Sequence, residues 1–149
     1  MRILIIIASL TVFLVGCGTT SGRLGELPSI TNKETASKIT VVRISSIVGM
    51  ANGFKVALDG KDIFGIGSGQ YAELFVPAGE HFIAAKCFGG WTPTWKEDSL
   101  KFTARTSENI FFLISPSMKC AEIKISNESE TKKHLDGAKR IDLENPSKY

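Results

Sequence analysis

The sequence predicts a mainly β protein, a single antiparallel β-sandwich of about seven to eight short strands with a short C-terminal helix. From residue 38 onward, short runs of β-branched and aromatic residues alternate with polar residues. Gly, Pro and Asp interrupt these runs at intervals of about 8 to 12 residues, a spacing typical of sandwiches and small barrels. No long amphipathic helical pattern comes before residue 128.

Eight strands are predicted, each from one of these short runs. In chain order the runs are KITVVRISSIV, GFKVALDGK, DIFGIGSG, QYAELFVPAGEHFIAAKCF (two strands), SLKFTAR, NIFFLIS and KCAEIKIS. Asp59-Gly60 predicts a hairpin turn. Pro77-Ala78-Gly79 predicts a second turn, because proline fixes φ and glycine permits positive φ. The run ESETKKHL predicts the single short helix, ended by Gly137.

The N-terminus has the parts of an export signal. Arg2 precedes a run of thirteen mostly apolar residues, 3–15, which is followed by Gly16. As a helix this run would be about 20 Å long, short of the ~30 Å hydrocarbon core, so a spanning helix is disfavoured. We therefore expect residues 1–16 to be a signal peptide.

The end of the signal carries a more specific motif. Leu14-Val15-Gly16-Cys17 resembles the lipobox of bacterial lipoproteins. The resemblance implies that the thiol of Cys17 takes a diacylglyceryl group, that the signal is cut before it, and that the new N-terminus is acylated. Several acyl chains are needed for stable anchoring. By resemblance to lipoproteins of enteric-type bacteria, Gly18 after the modified cysteine is compatible with transfer to the outer membrane, so we expect an anchor there, on the periplasmic face.

The segment after Cys17 is predicted to be a flexible tether. Residues 18–37 include eleven Gly, Ser, Thr or Asn and show no apolar period of 2 or 3.6. The predicted organisation is a signal peptide over 1–16, a lipidated N-terminus and tether over 17–37, and a β-sandwich over 38–149. A tether of this length would span about 25 Å and lift the domain clear of the lipid head groups.

Charge and length limit the classes of function. Without the signal, 133 residues remain, enough for one domain with a core. Arg2 is the only charge in the signal, which leaves 17 basic side chains against 15 acidic ones. Basic and acidic residues alternate beyond residue 118, whereas a nucleic-acid binder clusters one sign. We therefore do not expect a nucleic-acid partner.

The middle of the chain resembles small bacterial lipoprotein domains of unknown function with a PEGA-like sandwich. The resemblance covers roughly residues 38–126 and rests on Asp59-Gly60, Tyr71 and Pro77-Ala78-Gly79-Glu80-His81. The later stretch TARTSENIFFLIS is similar too, with Ser107-Glu108 where that group has a glycine. These motifs are turns, so the resemblance implies a fold rather than an activity.

Cys87 and Cys120 are predicted to form a disulfide, because an exported chain meets an oxidising compartment. Two free thiols are an alternative. A metal site with His81 and His134 is disfavoured, since no pair has zinc-ligand spacing. Cys120 shares strand parity with the polar residue Glu122, so the bridge is expected on an outer face or at a strand end.

Three further features of the sequence are candidates for chemistry. His81 follows a turn and is predicted to be a structural histidine that hydrogen-bonds the loop, since no nucleophile or second acid accompanies it. Residues 65–69, GIGSG, continue into a strand rather than a helix, so a turn is favoured over a phosphate cradle. Trp91 and Trp95 flank a Thr-Pro-Thr loop, and they either cap an open end of the sandwich or contact a ligand or partner.

These observations predict a non-enzymatic lipoprotein that is anchored by Cys17 and binds a protein or cell-wall partner or assists envelope assembly. No catalytic residues, metal or cofactor are predicted. One alternative is a periplasmic inhibitor of lysozyme-like enzymes, suggested by a small disulfide-bearing β domain on a lipid anchor. Another is a peptidoglycan or glycan binder that uses Trp91 and Trp95.

Overall fold

The computed structural model describes residues 21–47, 53–88, 97–118 and 120–144. It contains ten strands and one helix in these ranges. They are β1 Gly22–Arg23, β2 Ser37–Arg43, β3 Gly53–Leu58, β4 Lys61–Ile66, β5 Gln70–Val76, β6 Gly79–Phe88, β7 Glu97–Ala104, β8 Asn109–Ser117, β9 Cys120–Ser126, α1 Glu128–Leu135 and β10 Lys139–Arg140. All eight predicted strands and the predicted helix are confirmed, and β1 and β10 are additional.

The strands form two five-stranded sheets with the core between them. Sheet A has the order β1-β4-β3-β6-β7, and sheet B has the order β10-β5-β2-β8-β9. Inward residues of both sheets build one apolar cluster that includes Phe54, Phe64, Val76, Ile83 and Phe112. The mainly β sandwich expected from the sequence is therefore confirmed.

Sheet B is mixed, whereas the sequence predicted an antiparallel sandwich. β2 pairs in parallel with β8, and β10 pairs in parallel with β5. Parallel neighbours need a long connection. Here five strands separate β2 from β8 along the chain, four of them in sheet A and one, β5, in sheet B. Sheet A is antiparallel in each of its pairings.

The two ends of the sandwich differ in their connections. We call one the Met118 end; β2, β4, β6 and β8 finish there, at Arg43, Ile66, Phe88 and Ser117. The opposite one is the Asp59 end, where β3 and β5 finish at Leu58 and Val76. The Asp59-Gly60 hairpin is confirmed, with φ of 50° and 80° at its two turn residues.

The expected flexible tether over residues 17–37 is wrong for the part that the structure describes. β1 pairs with β4, placing Gly22 opposite Gly65. The next two amides, those of Leu24 and Gly25, donate to the carbonyl of Ile63. Leu27 packs against the core cluster. The packed chain therefore begins no later than residue 22, well before the predicted boundary at 38.

Helix α1 covers the outer face of sheet B over β2 and β8. Asn127 caps its N-terminus by accepting a hydrogen bond from the amide of Glu130 at 2.8 Å. Gly137, with φ of 74°, follows the C-terminus, as the sequence predicted. Val42 and Leu113, which pair on adjacent strands, are buried outside the core cluster, on the face that α1 covers. No helix within the described ranges is long and apolar enough to cross a bilayer.

Candidate functional site

The structure describes only some of the predicted site residues. Cys17 belongs to residues 1–20, and Trp91 and Trp95 belong to residues 89–96; all three lie outside the described ranges. Lipidation at Cys17 and contact through the two tryptophans therefore stay predictions. Cys87, Cys120, His81 and His134 are described.

Cys87 and Cys120 lie at disulfide distance, with Cα atoms 5.8 Å apart. Cys87 is near the end of β6 in sheet A, and Cys120 starts β9 in sheet B, so the pair joins the two sheets at the Met118 end. Both side chains are partly buried against the core. The sequence predicted a bridge either on an outer face or at a strand end, and the structure places the pair at strand ends.

His81 joins two turns at the Asp59 end. Its Nε2 donates to the carbonyl of Pro77 at 2.9 Å, and its Nδ1 lies 2.8 Å from the Asp59 carboxylate. The ring is buried, with its centroid 5.6 Å from that of Phe102. The predicted structural histidine that hydrogen-bonds its loop is confirmed. His134 lies on α1, with no bond to this cluster.

One candidate site is an open groove of about 710 Å³, which we call the Phe75 groove. Its first wall is the N-terminal segment, with Leu27, Pro28, Ile30 and Lys33. Its floor is the outer side of β5 and β2, with Lys38, Glu73 and Phe75. Its second wall is formed by residues 140–144. This volume lies within the range of ligand and peptide sites.

Local structure fixes both walls of the Phe75 groove. The first wall ends in a turn at Asn32, whose side chain accepts from the amide of Glu34 and whose carbonyl accepts from that of Ala36. The second wall follows β10, and the amide of Ile141 donates to the carbonyl of Tyr71 at 2.8 Å. Two parts of the chain more than 100 residues apart thus face each other across β5.

The charges of the Phe75 groove are balanced and mostly paired. Glu73 receives ion pairs from Lys38 and, at 3.2 Å, from Arg140. The ammonium of Lys33 lies 5.5 Å from the centre of the Phe75 ring, a cation–π distance. Three basic and three acidic side chains line the groove in all. Such a surface favours a ligand with both signs of charge and apolar groups, rather than a polyanion.

A smaller pocket of about 280 Å³ lies on the outer face of sheet A, beside Cys87. Asp62 accepts from Lys86 at 3.0 Å and faces Lys55 at 3.8 Å, while Lys86 also approaches Glu97 at 3.8 Å. Each of these charges faces an opposite one on a neighbouring strand. The arrangement stabilises strand pairing modestly and offers little to a ligand.

Arg43 is a buried charge that the sequence analysis missed. It is 1% exposed, donates to the carbonyl of Ile66 at 3.1 Å and stacks 3.9 Å from the centre of the Phe54 ring. Burial lowers its pKa to about 10, so it stays charged at neutral pH. Arg43 lies on the same side of β2 as Ile39 and Val41, which point inward. This alternation was the signal in the sequence from which its burial could have been predicted.

The Phe75 groove itself could not be found from local sequence patterns. Phe75 and Glu73 occupy the polar-side positions of a strand, and residues 140–144 follow a two-residue strand without a repeating pattern. Among the described residues, no three His, Cys, Asp or Glu side chains are grouped so that they could hold a metal ion.

Comparison with known proteins adds no assignment for this site. No protein-family model matches the chain, and a search of curated proteins found no significant relative.

Proposed function

We propose that this chain is a lipid-anchored, non-enzymatic binding module of the bacterial cell envelope. In this proposal Cys17 carries the lipid, the outer membrane holds the anchor on its periplasmic face, and the Phe75 groove takes an extended segment of a protein partner. The lipobox, the paired cysteines and the resemblance to PEGA-like lipoprotein domains support the anchoring part.

The observation that carries the binding part is the composition of the Phe75 groove. An aromatic floor, partly exposed apolar side chains on the first wall and balanced charges match the chemistry of a polypeptide. The short strand β10, exposed along its length, forms the edge of sheet B next to the groove. Sheet edges are common docking sites for extended peptides, because their backbone groups can pair with an added strand.

Site-specific photo-crosslinking in living cells tests this proposal. Benzoylphenylalanine is placed at Phe75 in the groove or, as a matched control, at Phe82, an exposed aromatic residue of β6 in sheet A. We expect a discrete protein adduct from position 75 that is absent from position 82. Equal adducts from both positions, or none from position 75, would contradict binding in the groove.

The two alternative functions remain predictions, and a direct assay can test each of them. Inhibition of lysozymes by the purified protein at micromolar concentration would favour the inhibitor class over the binding module. Retention on isolated cell walls that is lost in a Trp91→Ala, Trp95→Ala variant would favour the glycan binder.

A further inference from the structure

The N-terminal chain enters the fold at the Met118 end. β4 runs toward this end and β1 is antiparallel to β4, so β1 runs away from it. The hydroxyl of Ser21, just before β1, lies 3.4 Å from the side-chain amide of Gln70, the residue that starts β5 at the same end. Two independent contacts therefore place Ser21 at the Met118 end.

The distance from Ser21 to Cys17 is short. Three residues, Gly18, Thr19 and Thr20, separate the two. Four residue steps span at most about 14 Å. The polar layer of one leaflet is about 5 to 8 Å thick, half the difference between the whole bilayer and its hydrocarbon core. A lipid on Cys17 would thus hold the Met118 end close to the head groups.

The Met118 end also exposes large apolar side chains. Met118, at the tip of the β8–β9 hairpin, is fully exposed, and Ile47, which follows β2, is 91% exposed. The register that pairs Arg43 with Ile114 brings the ends of β2 and β8 side by side. Exposed Ile and Met side chains at one end favour transfer into the boundary between head groups and acyl chains.

We propose that the Met118 end rests against a lipid bilayer, with Ile47 and Met118 inserted among the head groups. This inference depends on the proposed lipidation of Cys17. The tether expected from the sequence would hold the domain away from the membrane, whereas in this proposal the domain contacts the membrane directly. Phe75 is the next-to-last residue of β5, which runs away from the Met118 end, so the Phe75 groove lies on the outer face of sheet B with Phe75 near the Asp59 end. The groove therefore stays accessible while the anchor is engaged.

Lipid photolabelling of the full, lipidated protein tests the orientation. The protein is reconstituted in vesicles of phosphatidylethanolamine and phosphatidylglycerol that include a diazirine-bearing phosphatidylethanolamine. After irradiation, mass spectrometry locates the lipid adducts. We expect adducts on the peptides with Ile47 and Met118, several-fold above those with Phe82 and Ile125, two apolar residues that are each about half exposed and lie nearer the Asp59 end.

A double variant and its control sharpen the result. Ile47→Ser with Met118→Ser should lower lipid labelling at the Met118 end, whereas Phe82→Ser with Ile125→Ser should leave it unchanged. Equal labelling of both ends, or a Met118 end that carries no lipid adduct, would overturn the orientation. The mass of the N-terminal peptide in the same sample separates the two proposals. Acylated Cys17 with an unlabelled Met118 end overturns only the orientation, while unmodified Cys17 overturns both.

Discussion

Asp59 is the residue that most clearly links local conformation to tertiary structure. It adopts positive φ in the β3–β4 turn, a conformation that Asp tolerates better than most residues. One carboxylate oxygen accepts from the amide of Phe82 at 2.9 Å, and the other lies 2.8 Å from Nδ1 of His81. His81 in turn holds the carbonyl of Pro77. The side chain of His81 therefore connects Asp59, in the β3–β4 turn, with Pro77, in the turn between β5 and β6.

This network predicts an acid-dependent loss of stability. Burial alone would raise the pKa of Asp59, but the hydrogen bonds from His81 and Phe82 and the charge of His81 hold it below 3.8. Because the pKa of this carboxyl group is lower in the folded protein than in the unfolded chain, the ionised carboxylate stabilises the fold at pH values above the ordinary pKa. This stabilisation is lost as the pH falls through the folded-state pKa. Asp59→Asn keeps the turn and removes the titration. Since nearly half of the side chain is exposed, we expect the variant to lose only about 0.5 kcal/mol at pH near 7.

Urea unfolding at neutral pH and at about pH 3 measures this effect. The wild-type protein should lose its advantage over Asp59→Asn at the acidic pH. The same stability difference at both pH values would contradict a contribution from the ionised Asp59.

Thr131 offers a second test at the scale of one residue. It lies on α1 with its side chain fully buried, and its hydroxyl has no hydrogen-bond partner among the described residues. A buried polar group without a partner costs free energy. Thr131→Val has nearly the same shape and should raise the unfolding free energy by about 0.5 to 1 kcal/mol. Thr131→Ser, which keeps the hydroxyl and removes a methyl group, should lower the unfolding free energy. Thermal unfolding distinguishes the two variants. Equal losses of stability in both would contradict an unpartnered hydroxyl at this position.

Between elements, the cysteine pair has the largest expected effect. Cys87 and Cys120 are 33 positions apart in sequence and join β6 of sheet A to β9 of sheet B. Closing a loop of this length contributes roughly 3.5 to 4 kcal/mol in the chain-entropy model. We expect Cys87→Ala with Cys120→Ala to lose about 3 kcal/mol of unfolding free energy.

Chemical denaturation with and without reductant measures the effect of the pair on the wild-type protein. The mass of the non-reduced protein should be lower by two hydrogen atoms. Two titratable thiols in protein purified without reductant, or a stability that reductant leaves unchanged, would show that the bond is absent.

Elements with a local signal could be predicted from the sequence. Alternating runs bounded by Asp59-Gly60 or Pro77-Ala78-Gly79 predicted eight strands, and the polar run before Gly137 predicted α1. The two-residue strands β1 and β10 are too short to show a period of two. Their pairing is determined by distant neighbours on β4 and β5, so no local pattern reveals it. For the same reason the sequence predicted a tether where the chain is packed.

Pairing across long chain separations also explains why the candidate site was missed. The parallel pairing of β2 with β8 and the meeting of residues 27–33 with residues 140–144 are tertiary contacts. The turn residues and His81, by contrast, act through neighbours that the hairpin signals already bring together. The turns and the histidine at the Asp59 end could therefore be predicted from the sequence, whereas the Phe75 groove could not.

At the scale of the whole molecule, the two ends of the sandwich have different proposed tasks. The Met118 end receives the N-terminal chain and exposes Ile47 and Met118, properties suited to a membrane surface. The Phe75 groove opens nearer the Asp59 end, where a partner in the periplasm could reach it. The membrane contact depends on an anchor at Cys17, whereas the proposed binding rests on the composition of the Phe75 groove.

The most direct measurement of that anchor is the mass of the N-terminal peptide of protein extracted from bacterial membranes. We expect a peptide that begins at Cys17 and carries a diacylglyceryl group and an additional acyl chain. Cys17→Ser should abolish this mass and remove the processed protein from the membrane. A membrane-extracted chain that begins at Met1 with an unmodified Cys17 would show that the protein is not anchored by a lipid on this residue.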